Sequence, residues 1–378
     1  MTVVFTCGGT GGHINPAIAV ANIWKERYPD TKFLFVGGGD DLEKELVPKA
    51  GYDLICVPAY GLRRSRDFQS LKRNAKALWL TVNGIAKCRK IFRDFQPDIV
   101  VGTGGYASFQ ALAAGKSMGI PTCVHESNAM PGMTTKMAAK FVDKALVCFP
   151  ESVKYYKDSS KVEVVGMPVR REFIFTKQED ARKELGLDHR PVVMSAFGSQ
   201  GAMVMNQTMA ELFRLEKEAG FPYQHIHAVG SYGWEWMPKL VQEKGIDLKT
   251  DTSIMMKEYL YNMPTVMAAA DVVISRAGAS TCNEIAASGT PCVLIPSPNV
   301  TDNHQEKNAR AMEKPGGAVV ILEKDCSAQK IFDEIKAIVE DSQKRNAMQK
   351  ALHSMVVPDS AERVCGIMEA LMKQKNRG

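Results

Sequence analysis

The sequence predicts an α/β protein of two doubly wound, Rossmann-like domains, each built on a parallel sheet. Three observations predict it. Short apolar, β-branched runs alternate with longer helical patterns along all 378 residues, and continuous apolar runs separated by helices belong to parallel strands covered on both faces. Thirteen such runs are too many for one comfortable sheet. The series also restarts near GMPVRREF (166–173), where Gly166 and Pro168 interrupt the pattern and a charged helix at 178–185 leads into PVVMSAFGSQGA. A first domain over 1–165 and a second from 166 onward are therefore expected.

In the first half the strands are expected at 2–7, 32–37, 53–58, 98–103, 121–126, 144–149 and 162–166. In the second half they are expected at 191–197, 223–229, 253–260, 271–276, 291–296 and 318–323. Composition agrees with a globular chain: 45% hydrophobic, 24% charged and net +6 exclude an acidic disordered polymer. No run approaches the length of a membrane span, and MTVVFTCGG reads as a first strand, not a signal peptide. Nine scattered cysteines without a CxxC read as reduced, buried, small hydrophobes in a cytosolic protein.

Ligands of such sheets bind beyond the carboxyl ends of the strands, so the strand-to-helix loops carry the functional expectations. The loop CGGTGGHINPAIAVA (7–21) lets the backbone approach a ligand and aims helix N–H groups at it. It is not a dinucleotide fingerprint, because the third glycine position is Ile14. His13 stands at the helix start, either as a general base or as a cap. VGTGGYASFQALAAG (101–115) repeats the arrangement; its AAGKS resembles the end of a P-loop, but position 110 is Gln where a glycine is required.

Further along, PTCVHESNAMPG brings His125, Glu126 and Asn128 to a strand end, as a structural pair or a substrate clamp. Gly198, Ser199 and Gly201 of SAFGSQGA precede a helix and form an anion seat fit for a diphosphate. In RAGASTCNE, small residues admit a ligand, and Glu284 is either a ribose-binding or a helix-dipole carboxylate. Asp302, His304, Gln305 and Asn308 make a rack for sugar hydroxyls. No two aspartates sit two positions apart, so no Asp-x-Asp metal motif exists and no metal or cofactor is expected. Leaving-group charge then falls to helix N-termini, backbone N–H groups and Arg170.

Residues 63–94 hold ten basic side chains (Arg63, Arg64, Arg66, Lys72, Arg73, Lys76, Lys87, Arg89, Lys90, Arg93) against Asp67 and Asp94, so the rest of the chain nets −2. Leu71, Ala75, Leu78, Trp79, Val82, Ile85, Ala86 and Phe92 recur at helical spacing. A basic amphipathic helix suits an anionic membrane surface; the other reading is a stripe packed on the sheet beneath a solvated face. No recognition motif points to nucleic acid.

Together GGTGGHINPAIAVA, GTGGYASF, HESNAMPG, FGSQGA and RAGAST…NE…SGTP…DNHQEKNA, in order over residues 7 to 312, closely resemble the MurG family. Its members are N-acetylglucosaminyl transferases that convert lipid I to lipid II in bacterial peptidoglycan synthesis. The resemblance implies the GT-B glycosyltransferase fold, with an N-terminal domain for the lipid acceptor, a C-terminal UDP-sugar domain over 166–355, and a final helix in 356–378 crossing back to the first. It implies UDP-N-acetylglucosamine and lipid I (undecaprenyl-pyrophosphoryl-MurNAc-pentapeptide) as partners, at the cytoplasmic side of the inner membrane. By position, Gly198, Ser199, Gly201 and Arg170 would face the diphosphate and the backbone at Leu260 the uracil. Ala279, Ser280, Thr281 and Glu284 would line the nucleotide, and Gln305 would hold the sugar. Thr10, Gly11, Gly12 and Asn128 would approach the transferred sugar, with His13 as base and His125 and Glu126 as second candidates. Phe197, Ser127 and Gln110 depart from the family's usual residues. The rival reading is another sugar-nucleotide enzyme on this fold, a diacylglycerol glycosyltransferase or a UDP-N-acetylglucosamine 2-epimerase.

Overall fold

The computed structural model describes residues 1–61, 68–300 and 303–375, with side chains for all of these except 68–71. Arg63, Arg64, Arg66, Asp67 and Asp302 therefore lie outside the described residues, as does the side chain of Leu71. The chain divides into two compact units, Met1–Arg170 with Asp359–Gly378, and Arg171–Pro358. The division falls after residue 165 for a packing reason. Val165 and Met167 are buried, and the Gly166 carbonyl accepts a hydrogen bond from His125, which fixes this stretch to the first unit.

The first unit alternates β1 (Thr2–Thr6), α1 (Gly11–Arg27), β2 (Lys32–Gly37), α2 (Asp41–Lys49), β3 (Leu54–Cys56), α3 (Phe68–Phe95) and β4 (Ile99–Gly102). It continues with α4 (Tyr106–Ser117), β5 (Thr122–Glu126), α5 (Met133–Ala138), β6 (Lys144–Val147) and β7 (Val162–Val164). All pairings are parallel, in the order β3-β2-β1-β4-β5-β6-β7. Strands such as VVF in β1 and IVVG in β4 are buried on both faces, as their unbroken apolar runs require.

The second unit runs α6 (Glu172–Phe175), α7 (Gln178–Glu184), β8 (Val192–Ala196), α8 (Met203–Glu218), β9 (Gln224–Ala228), α9 (Met237–Glu243), β10 (Ile254–Lys257) and α10 (Met263–Ala269). There follow β11 (Val272–Ser275), α11 (Ala279–Ser288), β12 (Cys292–Leu294), α12 (His304–Glu313), β13 (Ala318–Val320), α13 (Ala328–Glu340) and α14 (Ser342–Met355). Its parallel sheet has the order β10-β9-β8-β11-β12-β13. The last helix, α15 (Ser360–Lys375), belongs to the first unit: Val364, Cys365, Met368 and Leu371 enter the core that holds Trp24 and Val20 of α1. All nine cysteines are free, and seven are buried.

Both sheets reverse direction once, between β1 and β4 and between β8 and β11. Connections diverge there and leave a crevice at the carboxyl ends of the strands. The loops that follow β1, β4, β8 and β11 are 7–10, 103–105, 197–202 and 276–278, which are the glycine-rich loops of the sequence. Topology thus selects them independently of composition.

Helix α3 corrects one expectation. The apolar positions do not form a single stripe but divide between two faces. Ala77, Cys88 and Phe92 are buried in the core, whereas Leu78, Trp79 and Val82 are 63%, 64% and 61% exposed. Gln110 explains part of the close packing beneath: a Cβ on Gly84 would lie 2.0 Å from its Oε1, so α3 and α4 approach only because residue 84 has no side chain. The AAGKS segment lies inside α4, which removes any phosphate loop there.

Candidate active site

In the first unit, Thr10 is the N-cap of α1, and Gly11, Gly12 and His13 form its first turn. The first N–H groups of a helix have no partner within it, so this turn offers donors at the crevice. Thr103 holds His13 at two points, once at the ring and once at the backbone. The ring Nδ1 lies 3.0 Å from the Thr103 carbonyl oxygen, and the Thr103 hydroxyl donates to the His13 carbonyl at 2.6 Å. A carbonyl only accepts, so Nδ1 carries the proton and Nε2 is the basic nitrogen of the neutral ring. The ring lies over Gly104, whose φ of +113° and missing side chain are both required, since a Cβ there would sit 2.3 Å from Nδ1. Thr103 was not singled out by sequence reasoning; its position at the carboxyl end of β4, before two glycines, is the signal that marks it.

His125 and Glu126 end β5 inside the first unit. Successive residues of β5 point to opposite faces, and both side chains are buried, at 1% and 2% exposure. His125 donates from Nε2 to the Gly166 carbonyl at 2.9 Å, and burial holds its pKa below the ordinary value. Glu126 uses both oxygens locally: Oε1 accepts from the N–H and Nδ2 of Asn128, and Oε2 accepts from the Gly132 N–H, each at 2.9 Å. Both side chains are thus buried and hydrogen-bonded within the first unit. Asn128 is half-buried with its amide held by Glu126, while Ser127 donates to the Gly12 carbonyl at 3.3 Å and ties this loop to the first turn of α1.

In the second unit the loop after β8 turns tightly. Gly198 and Gly201 have φ of +94° and +78°, and the Gly201 N–H donates to the Gly198 carbonyl at 3.0 Å. Ser199 is exposed beside them, ahead of α8. Phe197 does not reshape this loop, because its side chain is turned into the core, 4% exposed, against the His227 ring. Across the crevice α11 begins at Ala279 after an extended Gly278, with Ser280 and Thr281 in its first turn. Glu284 accepts from the Ser280 hydroxyl at 3.1 Å one turn along. Asn308 of α12 holds the intervening loop by donating to the Ala277 carbonyl at 3.2 Å. Gln305 accepts the Ser297 N–H at 2.9 Å through its carbonyl oxygen, which orients its amide nitrogen as a donor. Leu260 is buried just after β10, between the exposed rings of Tyr259 and Tyr261. Arg170 is the last residue of the first unit and half-buried. Among the described residues no three His, Cys, Asp or Glu side chains gather as a metal site, and no helix is long and apolar enough to cross a membrane.

The glycosyltransferase family 28 N-terminal domain matches residues 3–147, and the family 28 C-terminal domain matches residues 192–364. A UDP-N-acetylglucosamine--N-acetylmuramyl-(pentapeptide) pyrophosphoryl-undecaprenol N-acetylglucosamine transferase of Acetivibrio thermocellus is 40% identical over 100% of both chains. The chain belongs to the MurG family. It is a glycosyltransferase, and its two parallel-sheet domains are those of the GT-B fold. The crystal structure of MurG from Acinetobacter baumannii superposes with a TM-score of 0.73 at 20% identity, covering 98% of this chain and 99% of that one. The architecture alone does not single out MurG chemistry: a UDP-GlcNAc 2-epimerase from Neisseria meningitidis shares it with a TM-score of 0.67 at 14% identity, over 98% and 100% of the two chains.

Proposed function

We propose that this enzyme transfers N-acetylglucosamine from UDP-N-acetylglucosamine to the muramic-acid 4-hydroxyl of lipid I, giving lipid II for peptidoglycan, in one inverting, metal-independent displacement. The substrates are those named for its full-length relatives. The observation that supports the mechanism is the contact of His13 Nδ1 with the Thr103 carbonyl, which leaves Nε2 as the basic nitrogen of the neutral ring at the start of α1. As the 4-oxygen forms its bond to the anomeric carbon, Nε2 takes the hydroxyl proton and the bond from that carbon to the UDP oxygen breaks. General-base help of this kind is worth about 10²–10⁴-fold. Charge growing on the departing diphosphate is met by the N–H groups of the 198–202 loop, the Ser199 hydroxyl and Arg170. Glu284 accepts from the ribose diol, the backbone at Leu260 meets the uracil, and Ala279, Ser280 and Thr281 line the nucleotide.

Docking at the cytoplasmic face of an anionic membrane is assigned to the N-terminal half of α3. Leu78, Trp79 and Val82 project there beside exposed Lys72, Arg73 and Lys76. Farther along, Lys87 and Arg89 are tied to the Cys56 carbonyl and the Ser117 hydroxyl, while Lys90 and Arg93 are exposed. About 1 kcal/mol per well-placed Lys or Arg, added to the burial of Trp79 and Leu78, suits reversible attachment.

The test is an assay with lipid I and radiolabelled UDP-N-acetylglucosamine, with and without chelator, reading lipid II and the anomeric configuration of the new bond. Label in lipid II of inverted configuration, unaffected by chelator, is the expected result. Release of an epimerised sugar nucleotide without acceptor would replace this reading with the epimerase one.

A further inference from the structure

Glu43 is a carboxylate with no exposure at all, in the first turn of α2. Asp40 holds the N-cap position without a side-chain capping bond, so Asp40-x-x-Glu43 has only the spacing of a capping box, in which the glutamate returns to the N-cap N–H. Glu43 does something else. Its Oε2 accepts the N–H of Gly39, in the loop after β2, and its Oε1 accepts the N–H of Gly9, in the loop after β1, both at 2.8 Å. The carboxylate fits because its surroundings lack side chains. A Cβ on Gly37 would lie 2.3 Å from Oε2, and one on Gly8 would lie 3.2 Å from Oε1.

Burying a carboxylate is unfavourable unless its oxygens are hydrogen-bonded, and the N-terminal turn of α2 adds a favourable dipole. A group that only filled space here would be apolar. This one instead joins two strand-to-helix loops, and the segment it grips, Gly9-Thr10-Gly11-Gly12, leads directly into His13. We propose that Glu43 is a positioning residue for the transfer reaction, stapling the β1 loop to the β2 loop so that the His13 ring stays aligned. The inference rests on the assignment of His13 as the base. Glutamine cannot substitute, because it offers one acceptor oxygen and turns an N–H donor toward the second backbone N–H. Aspartate keeps the charge but is one methylene too short to span both loops.

The experiment compares the full-length wild type with Glu43→Gln and Glu43→Asp. It measures steady-state transfer from UDP-N-acetylglucosamine to lipid I and amide hydrogen exchange of segments 7–12 and 37–40. Displacement of a reacting group by a fraction of an ångström to one ångström costs up to about 100-fold, so E43Q should lose about 10- to 100-fold in kcat. Its KM for UDP-N-acetylglucosamine should stay within about twofold of wild type, while exchange quickens in the two segments and not in the strands beside them. E43D should fall between the two. Wild-type kcat in E43Q would overturn the proposal, as would faster exchange spread through the whole first unit. Should E43Q not fold, E43D decides alone: a lowered kcat with unchanged donor KM supports the staple, and full activity refutes it. An inactive wild type would instead sink the transferase reading itself, a distinct result.

Discussion

The glycine loops of the two units look alike in sequence and are built oppositely. In the first unit the loops after β1, β4 and β5 are cross-tied by side chains: Thr103 grips His13, Ser127 grips Gly12, and Glu43 and Glu126 each take two or three N–H groups. In the second unit the loop after β8 is held, among the described residues, by backbone hydrogen bonds. Ser231 and Tyr232 donate to the carbonyls of Ser199 and Gln200, and Gly230 lies so close that a Cβ on it would be 2.1 Å from the Gly201 nitrogen. Under the roles proposed for His13 and the 198–202 loop, the difference follows from the job of each. A general base loses its value when it moves, so its loop is stapled. A phosphate seat works through unoccupied N–H groups, and Ser231 and Tyr232 hold this loop by its carbonyls, with the Gly201 N–H spent on the Gly198 carbonyl.

Breaking the first half of this comparison should have the largest effects. His13→Ala should lower kcat by about 10²–10⁴-fold with UDP-sugar affinity nearly unchanged, measured by turnover and calorimetry. Gly104→Ala places a methyl against the His13 ring and should cost about 10²-fold in kcat, again with donor binding preserved. Near-normal turnover in either variant would remove His13 from the mechanism.

At the membrane, the double change Leu78→Ser and Trp79→Ser removes two apolar anchors. Binding to vesicles containing anionic lipid should weaken about tenfold or more, with turnover on a water-soluble acceptor unaltered. Equal binding by the variant would move the contact elsewhere. Ser199→Ala sharpens the second half of the comparison: loss of one hydroxyl among several backbone donors should reduce UDP affinity only about 3- to 10-fold, the range of a net hydrogen bond of about 0.5–1.5 kcal/mol. A hundredfold loss would mean that the side chain and not the backbone is the seat.

A separate prediction concerns stability. Beneath the β8 loop, Ser195 lies 2.7 Å from both His225 Nε2 and His227 Nδ1, and His225 Nδ1 lies 2.9 Å from Glu216. Burial, with the neighbouring His225 second, lowers the His227 pKa to about 3. In the unfolded chain the ring protonates near 6.5, so between these values the unfolded state binds the extra proton. The stability this ring contributes is therefore complete above pH of about 6.5 and is lost as pH falls toward 3. One proton per molecule corresponds to about 1.4 kcal/mol per pH unit. Denaturant titrations of the second unit at pH 6, 5 and 4 should show that added slope, and His227→Gln should lack it.

Much of the fold was legible because the central strands are buried on both faces and so write unbroken apolar runs; all thirteen expected strands are present, β2 with its expected bounds and the others one to four residues shorter. The glycine loops were legible for the same local reason. What the sequence hid is tertiary. In HES, a histidine and a glutamate at a strand end look like acid–base partners, and only burial shows that Glu126 has given its oxygens to Asn128 and Gly132. Thr103 and Glu43 act across 90 and 34 residues of sequence, beyond any spacing rule. On α3 helical periodicity could not say which apolar residues faced inward, because both faces carry them.

Amide hydrogen exchange of the full chain with and without saturating UDP tests the division of labour most directly. The account predicts slowed exchange at 198–202 and 279–284, with segments 7–12 and 103–105 unchanged. Protection at 7–12 and 103–105 with none in the second unit's loops would contradict it.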